Sequence, residues 1–198
     1  MGDFFERIVD VEVSAEEAGA LAARTVEWMV GEGVITRELS GVGVYSPSTL
    51  EGYCPGPHWQ RAIALSPDAA WQPGPVAVMA GRDHYVEGQG TDEADHATCP
   101  RCSARTVITD YPESFEPDEE VWRPFREAVA TWKETGEAGV TCPACAAVVP
   151  VTEWDFGSGF LLGALAFDFW GWPPLSEEFI AELGRQLGHR REWHTGKF

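Results

Sequence analysis

The sequence has few basic residues and no long apolar run. Lysine and arginine total 14 against 32 aspartates and glutamates in 198 residues, which gives a formal charge of -18 at pH 7. A surface of this sign repels phosphate backbones, so the composition argues against nucleic-acid binding. The longest apolar run, residues 160–167, is far shorter than the ~20 residues of a membrane span. We therefore expect neither a nucleic acid nor a membrane as partner.

The sequence also lacks the usual signatures of enzymes and of export. It contains no phosphate-binding loop, serine elbow or H-E-x-x-H motif, and Gly41-x-Gly43 lacks the third glycine of a nucleotide-binding loop. The N-terminal residues are mainly acidic and do not form the basic and apolar segments of a signal peptide. The sequence therefore predicts a cytoplasmic protein and assigns it no reaction.

Material for a folded core is plentiful. Hydrophobic residues make up 44% of the chain and aromatic residues 12%, including nine tryptophans and ten phenylalanines. This composition excludes a disordered acidic tail. The 21 glycines and 14 prolines predict many turns between rather few regular elements. A chain of this length suits a single α+β domain over residues 1–198 that carries a small insertion.

Three helices are predicted from their caps and apolar stripes. The first begins at a capping box formed by Ser14 and Glu17. The second spans residues 119–135, and the third lies between Ser176, its N-cap, and Gly188, its terminator. Each places its apolar residues three or four apart, as an amphipathic helix requires.

Strands are predicted where apolar and polar residues alternate or where short apolar runs occur. The predicted strands are residues 5–13, 40–45, 76–80, 84–87, 105–109, 146–154, 160–170 and 189–194. A turn at residues 81–83 would join two of them into a hairpin, and residues 53–58 are predicted to be loop. The result is an α+β fold in which helices pack on a mainly antiparallel sheet.

Four of the five cysteines form two C-x-x-C pairs, Cys99 with Cys102 and Cys142 with Cys145, separated by residues 103–141. Four thiolates are the ligand set of a closed tetrahedral site, which most often holds Zn²⁺. Iron uses the same ligands and is the second choice. Because four protein ligands leave no open coordination position, we expect the metal to be structural and not catalytic.

The two motifs, Cys99-Pro100-Arg101-Cys102 and Cys142-Pro143-Ala144-Cys145, resemble the knuckles of zinc-ribbon proteins. The resemblance covers residues 97–150 and implies a zinc-ribbon-like insertion within the domain. In that family a glycine usually follows the second cysteine, but here Ser103 and Ala146 occupy those positions. If the backbone there takes a positive φ, each residue costs on the order of 1 kcal/mol.

The remaining candidates for chemistry are single residues. Cys54 lies four residues before His58 in a segment rich in proline and glycine, and the two can be a nucleophilic pair or a small apolar residue beside a loop histidine. Asp168 lies in the most apolar stretch, where an acid is either functional or held at a strand edge or by the backbone. His96, three residues before Cys99, can replace a cysteine as ligand or be solvated.

These observations favour a non-enzymatic zinc-binding protein of the cytosol that acts through protein–protein interaction. The acidic charge either steers a basic protein partner or serves solubility alone. The alternative is an enzyme or small-molecule-binding protein that uses the 45–60 loop, with Cys54 and His58. The sequence leaves the oligomeric state open.

Overall fold

The computed structural model describes residues 4–65, 71–88, 92–157 and 159–197. The helices of these residues are α1 (Ala15–Gly31), α2 (Glu119–Thr135) and α3 (Glu177–Leu187). The strands are β1 (Phe4–Asp10), β2 (Ile35–Ser40), β3 (Gly52–Pro55), β4 (Val76–Val86), β5 (His96–Thr98), β6 (Arg105–Val107), β7 (Gly139–Thr141), β8 (Val148–Pro150), β9 (Phe160–Trp170) and β10 (Arg191–Lys197). Among the described residues, no helix has the length and apolar character needed to cross a membrane.

The chain divides into two compact units. Unit 1 comprises Met1–Gly81, Glu87–Gln89 and Gly163–Phe198, and unit 2 comprises Arg82–Val86 and Gly90–Leu162. The sequence predicted a single domain with an insertion at residues 97–150. Unit 2 contains that range together with the residues on either side of it.

A six-stranded sheet dominates the fold, with strand order β10-β1-β9-β4-β3-β2. β1 pairs antiparallel with both β10 and β9, and β3 pairs antiparallel with both β2 and β4. β9 lies inside the sheet because it is apolar almost throughout, which suits a strand covered on both faces. The apolar faces of α1 and α3 share one core with residues of β1 and β9. The predicted α+β class with a mainly antiparallel sheet is confirmed.

The caps set the ends of the helices as predicted. The hydroxyl of Ser14 accepts the backbone N–H of Glu17 at 3.2 Å and donates to the carboxylate of Glu17 at 2.8 Å. The hydroxyl of Ser176 accepts the N–H of Phe179 at 3.1 Å. At the other end of α3, Gly188 adopts a left-handed φ of 77°, which glycine takes without strain.

The predicted hairpin at residues 76–87 is wrong. Residues Gly81-Arg82-Asp83, which have the composition of a turn, lie inside the continuous strand β4. Gly81 has a φ of 138°, a conformation that distorts the strand locally without reversing it. Gly81 therefore marks an irregularity within β4 and not a turn between two strands.

The predicted loop at residues 53–58 is also wrong in its first half, which forms β3. Leu39 of β2 pairs with Tyr53, and Tyr53 pairs with Val76 of β4. A Cβ on Gly52 would lie 2.7 Å from the backbone carbonyl carbon of Val76, so only glycine permits this approach. Sheet pairing on both sides thus makes a strand of a segment whose composition indicates a loop.

Other strand bounds differ from the predictions by a few residues. β2 replaces the strand predicted at 40–45, and β1, β6, β8 and β10 differ in length or position from the strands predicted at 5–13, 105–109, 146–154 and 189–194. Residues 151–153 form a short 3-10 helix directly after β8. These ends depend on cross-strand partners that a local pattern does not specify.

Unit 2 has an apolar core of its own. The buried face of α2, which includes Trp122, Phe125 and Trp132, packs with residues of the short strands and with Phe160. Cys99 and Cys142 belong to the same core. The cysteine motifs are therefore integrated with α2 and do not form a free-standing finger.

Candidate metal centre

Each cysteine motif, here called a knuckle (residues 99–102 and 142–145), is the turn of a short hairpin. The first knuckle joins β5 to β6, in which Thr98 pairs with Arg105. The second joins β7 to β8, in which Thr141 pairs with Val148. Two equivalent hairpins therefore present one C-x-x-C pair each.

The backbone of the two knuckles repeats the same hydrogen bonds. Cys99 accepts the N–H of Ser103 at 2.9 Å and donates its own N–H to Ala104 at 3.0 Å. In the second knuckle, the carbonyl of Cys142 accepts the N–H of Ala146 at 2.9 Å. The N–H of Cys142 donates to the carbonyl of Ala147 at 2.8 Å. These bonds close each knuckle into a tight loop and fix the directions of its two sulfurs.

The positions that carry glycine in zinc ribbons adopt the conformation that glycine favours. Ser103 and Ala146 both have a φ of 59°, and they are the non-glycine residues with positive φ in the described chain. From the sequence we predicted that a positive φ at these positions would cost each residue on the order of 1 kcal/mol. The φ angle is positive in both knuckles, so the backbone of both is strained at the residue after the second cysteine.

The four Sγ atoms of Cys99, Cys102, Cys142 and Cys145 all lie within 4.8 Å of one another, and together they can hold a metal ion. The Sγ atoms of Cys102 and Cys142, one from each knuckle, are 3.8 Å apart. Four sulfurs placed ~2.3 Å from a central ion with tetrahedral angles would be about 3.8 Å from each other. The spacing of the donors therefore suits a tetrahedral thiolate centre.

The centre lies at the edge of the unit 2 core. Cys99 and Cys142, the first cysteine of each knuckle, are buried, whereas Cys102 and Cys145 are exposed. One side of a bound ion would contact apolar packing, and the other would be held by thiolates at the surface. An ion held by all four sulfurs would connect the two hairpins through buried residues.

The thiols influence one another's protonation. Backbone N–H groups of Cys145 and Ala144, together with neighbouring thiols, lower the pKa of Cys142 to about 7 despite some desolvation. The backbone N–H of Ala104 favours the thiolate of Cys102, but desolvation and the other three cysteines raise its pKa to about 12. A bound metal would have to displace the remaining protons, so the affinity of the cluster for a metal would rise with pH.

His96 does not join the cluster. Among the described residues, the group of side chains close enough to share a metal ion consists of the four cysteines alone. His96 is the first residue of β5, and its buried Nδ1 has no hydrogen-bond partner among the residues that the structure describes. The donor set is therefore all sulfur.

The second candidate pair, Cys54 and His58, lacks the features of a nucleophilic site. Cys54 lies on β3, and His58 precedes a 3-10 helix at residues 59–62, with its Nδ1 3.4 Å from the carbonyl of Glu32. No hydrogen bond joins the two side chains among the described residues. Desolvation and the charge of Glu38 raise the pKa of the Cys54 thiol, which is opposite to the activation that a nucleophilic cysteine needs.

Asp168 is held by a side chain and not by the strand edge or backbone bond that we expected. Its carboxylate forms a two-point ion pair with Arg7 of β1, at 2.5 Å to Nε and 2.7 Å to Nη2. Ser46 donates to the same carboxylate at 2.6 Å and accepts from the indole N–H of Trp170 at 2.8 Å. Asp168 and Arg7 are almost completely buried. This network satisfies both charges inside unit 1 and leaves no free acid for chemistry.

One cavity, lined by both polar and apolar residues, was not predicted from the sequence. Unit 2 contains an open cavity of about 320 Å³ beside α2, which we call the α2 cavity. Its lining residues are His84, Asp92, Trp122, Arg126, Val129, Ala130, Lys133, Glu134 and Phe160. The available sequence signal was the polar pair Asp83-His84. The wrong hairpin prediction placed this pair at a turn, so its approach to α2 was not foreseen.

Comparison with known proteins identifies no relative. The chain matches no protein-family model, no curated protein and no solved structure closely enough to indicate a relationship. The function must therefore be argued from the geometry of the chain itself.

Proposed function

We propose that this chain is a non-enzymatic zinc-binding protein of the cytosol that acts by binding another protein. In this proposal a zinc-ribbon-like centre at Cys99, Cys102, Cys142 and Cys145 holds unit 2 in its binding-competent form. The observation that carries the proposal is the convergence of four Sγ atoms to within 4.8 Å.

Three features support zinc in a structural role. The donors are all thiolates, which Zn²⁺ accepts readily in tetrahedral geometry. Four protein ligands leave no position for water or substrate, so the ion has no open site for catalysis. Cys99 and Cys142 are part of the core around α2, so an ion that ties them stabilises packing as well as loops.

Metal analysis of the purified full-length chain tests the first half of the proposal. We expect one zinc per chain and none in the variant Cys99→Ser/Cys142→Ser. Cys54→Ser, which changes the cysteine outside the cluster, is the matched control and should retain the ion. A stoichiometric iron content with the visible absorption of an iron–thiolate centre would replace zinc by iron, and absence of any metal would overturn the centre.

The charge supports a basic protein as the partner. A formal charge of -18 creates an attractive field for a positively charged surface and speeds encounter with it. The Cys54 thiol, outside the cluster, is not activated because its pKa is raised, and a bound ion would occupy the four cysteines of the cluster, so recognition is the role that we propose.

A salt-resolved binding experiment tests the second half. The zinc-loaded chain is immobilised, proteins from cells of its source are applied, and retained species are eluted with rising sodium chloride and identified by mass spectrometry. We expect a basic protein whose affinity, remeasured with purified components, weakens about tenfold or more between low and physiological salt. A partner that is acidic, or whose binding does not change with salt, would contradict the proposal.

A further inference from the structure

The α2 cavity is built by one face of a helix and two strand ends, all within unit 2. Trp122, Arg126, Ala130 and Glu134 follow one another at intervals of four along α2, so they form a single row on the helix surface. Val129 and Lys133 form the adjacent row. Opposite them lie His84, near the end of β4, and Phe160, at the start of β9.

The floor of the cavity is aromatic and closely packed. The imidazole of His84 stacks on Phe160 with ring centroids 5.3 Å apart and an angle of 24° between the planes. Trp122 meets Phe160 edge to face at 5.5 Å. Trp122, Val129 and Phe160 are buried in the core beneath the cavity, while Ala130 is exposed and its small side chain leaves the space above them open. A flat ring fits such a floor better than a flexible chain does.

The polar side of the cavity contains carboxylates that are paired with basic side chains, and some of these basic side chains have N–H groups that are not used in the pairs. Lys133 Nζ lies 2.5 Å from the carboxylate of Asp83, and the Nε2 of His84 lies 2.5 Å from Asp92. Each of these carboxylates is thus already engaged by a cation. An ammonium carries three N–H donors and a guanidinium five. Lys133 Nζ also lies 3.4 Å from Nδ1 of His84, which leaves its third N–H for a ligand. The guanidinium of Arg126 donates from Nη1 to Glu119 at 2.9 Å, so its other donors are available as well.

We propose that the α2 cavity is a binding site for a small aromatic carboxylate. The ring of the ligand lies over Trp122 and Phe160, and its carboxylate accepts hydrogen bonds from Lys133 and Arg126. The volume of about 320 Å³ is at the small end of ligand pockets and suits a molecule of one or two rings. Glu134, the exposed acid on the rim, disfavours ligands of higher negative charge. Burial lowers the pKa of His84, but its hydrogen bonds to Asp83 and Asp92 together raise it by more, so the charge of His84 offsets those carboxylates and leaves Lys133 and Arg126 to hold the ligand.

An NMR titration with matched probes tests this proposal on the zinc-loaded full-length chain. The ¹⁵N-labelled protein is titrated with 2-naphthoate, its neutral amide 2-naphthamide, and the cation 2-(aminomethyl)naphthalene. We expect 2-naphthoate to shift amide signals in residues 83–86 and 122–134, with an affinity about tenfold higher than that of the amide. The cation should bind more weakly still.

Three variants locate the site. Ala130→Phe fills the cavity and should weaken 2-naphthoate binding about tenfold or more, whereas Ala23→Phe, the same change on the exposed face of α1, should leave it unchanged. Arg126→Gln should remove most of the preference for naphthoate over naphthamide. This exposed change is preferred to Lys133→Met, which would also remove the 2.5 Å ion pair of Lys133 with the buried Asp83. Absence of binding by all three probes, equal or reversed preference for the cation, or shifts that survive Ala130→Phe would each overturn the site.

Discussion

Ser103 and Ala146 share a backbone φ of 59°, and each directly follows the second cysteine of its knuckle. Neither residue has the freedom of glycine in the left-handed region, so both knuckles carry the same local strain. The backbone hydrogen bonds of each knuckle offset this strain, since Ser103 and Ala146 themselves donate an N–H to the first cysteine of their knuckle.

Replacing Ala146 by glycine should stabilise the protein. The change removes on the order of 1–2 kcal/mol of left-handed strain. The greater conformational freedom of glycine in the unfolded chain costs about 0.4–1 kcal/mol, so the net gain in unfolding free energy is between about 0 and 1.6 kcal/mol. Denaturant unfolding of the zinc-loaded chain measures it. Ala144→Gly is the control, because Ala144 lies in the same knuckle but is not among the positive-φ residues. Destabilisation by Ala146→Gly equal to that of the control would refute the strain.

Removing one buried thiolate should loosen unit 2. Cys99 is fully buried and contributes both a sulfur donor and core packing, so Cys99→Ser should abolish metal binding and expose the backbone of the hairpins β5–β6 and β7–β8. Hydrogen exchange followed by mass spectrometry should show faster exchange over residues 92–157, with unit 1 strands such as β1 much less affected.

The comparison with Cys54→Ser separates loss of metal from loss of a thiol. That variant should keep the exchange pattern of the unchanged protein, because Cys54 lies outside the cluster. A structural role for the ion is untenable if Cys99→Ser loses metal yet retains both the exchange pattern and the unfolding free energy of the parent chain.

The helices and the four-cysteine cluster are the features that sequence patterns predicted best, because their signals are local. Ser14 and Ser176 fix helix starts through bonds to residues three positions ahead, and Gly188 fixes an end through its own φ. Likewise, each C-x-x-C pair brings two sulfurs together within one turn of chain, so only the meeting of the two knuckles depends on the fold.

The strands and the α2 cavity depend on residues far apart in the sequence. β3 is a strand because β2 and β4 flank it, and Gly81 lies within β4 although its neighbours have the composition of a turn. The partner of Asp168, Arg7, is 161 positions away, and no local pattern connects them. The cavity likewise requires β4, α2 and the start of β9 to meet, which composition and periodicity do not specify.

The Arg7–Asp168 pair should contribute strongly to the stability of unit 1. Both side chains are almost fully buried, so Arg7→Met leaves a carboxylate without its counter-charge and should cost about 3–5 kcal/mol. The exposed pair of Arg37 with Glu27 is the control, and Arg37→Met should cost less than about 1 kcal/mol.

A double-variant cycle distinguishes the pair from loss of packing. Arg7→Met combined with Asp168→Leu should cost clearly less than the two single changes added together, because no charge is then left buried alone. Denaturant unfolding of the four proteins measures the coupling. Additive losses would show that the charges contribute independently and would contradict the prediction.

Stability should depend on the protonation of His84. Burial lowers the pKa of His84, but hydrogen bonds to Asp83 and Asp92 outweigh that effect and raise it above its usual value of 6.5. A histidine whose pKa is raised by folding stabilises the folded state fully below the unfolded pKa, and loses that contribution as pH rises through the folded value. The difference in unfolding free energy between the parent chain and His84→Gln should therefore be largest near pH ~6 and shrink as pH rises above ~6.5.

Direct titration of the imidazole by NMR gives the sharper measurement. The midpoint for His84 should exceed 6.5, and Asp92→Asn should lower it, since that change removes the carboxylate 2.5 Å from Nε2. Asp95→Asn, the same change at an exposed acid three residues further on, is the matched control and should leave the midpoint in place. A midpoint at or below 6.5 in the parent chain, or one that does not respond to Asp92→Asn, would mean that the two carboxylates do not hold His84 in its charged form.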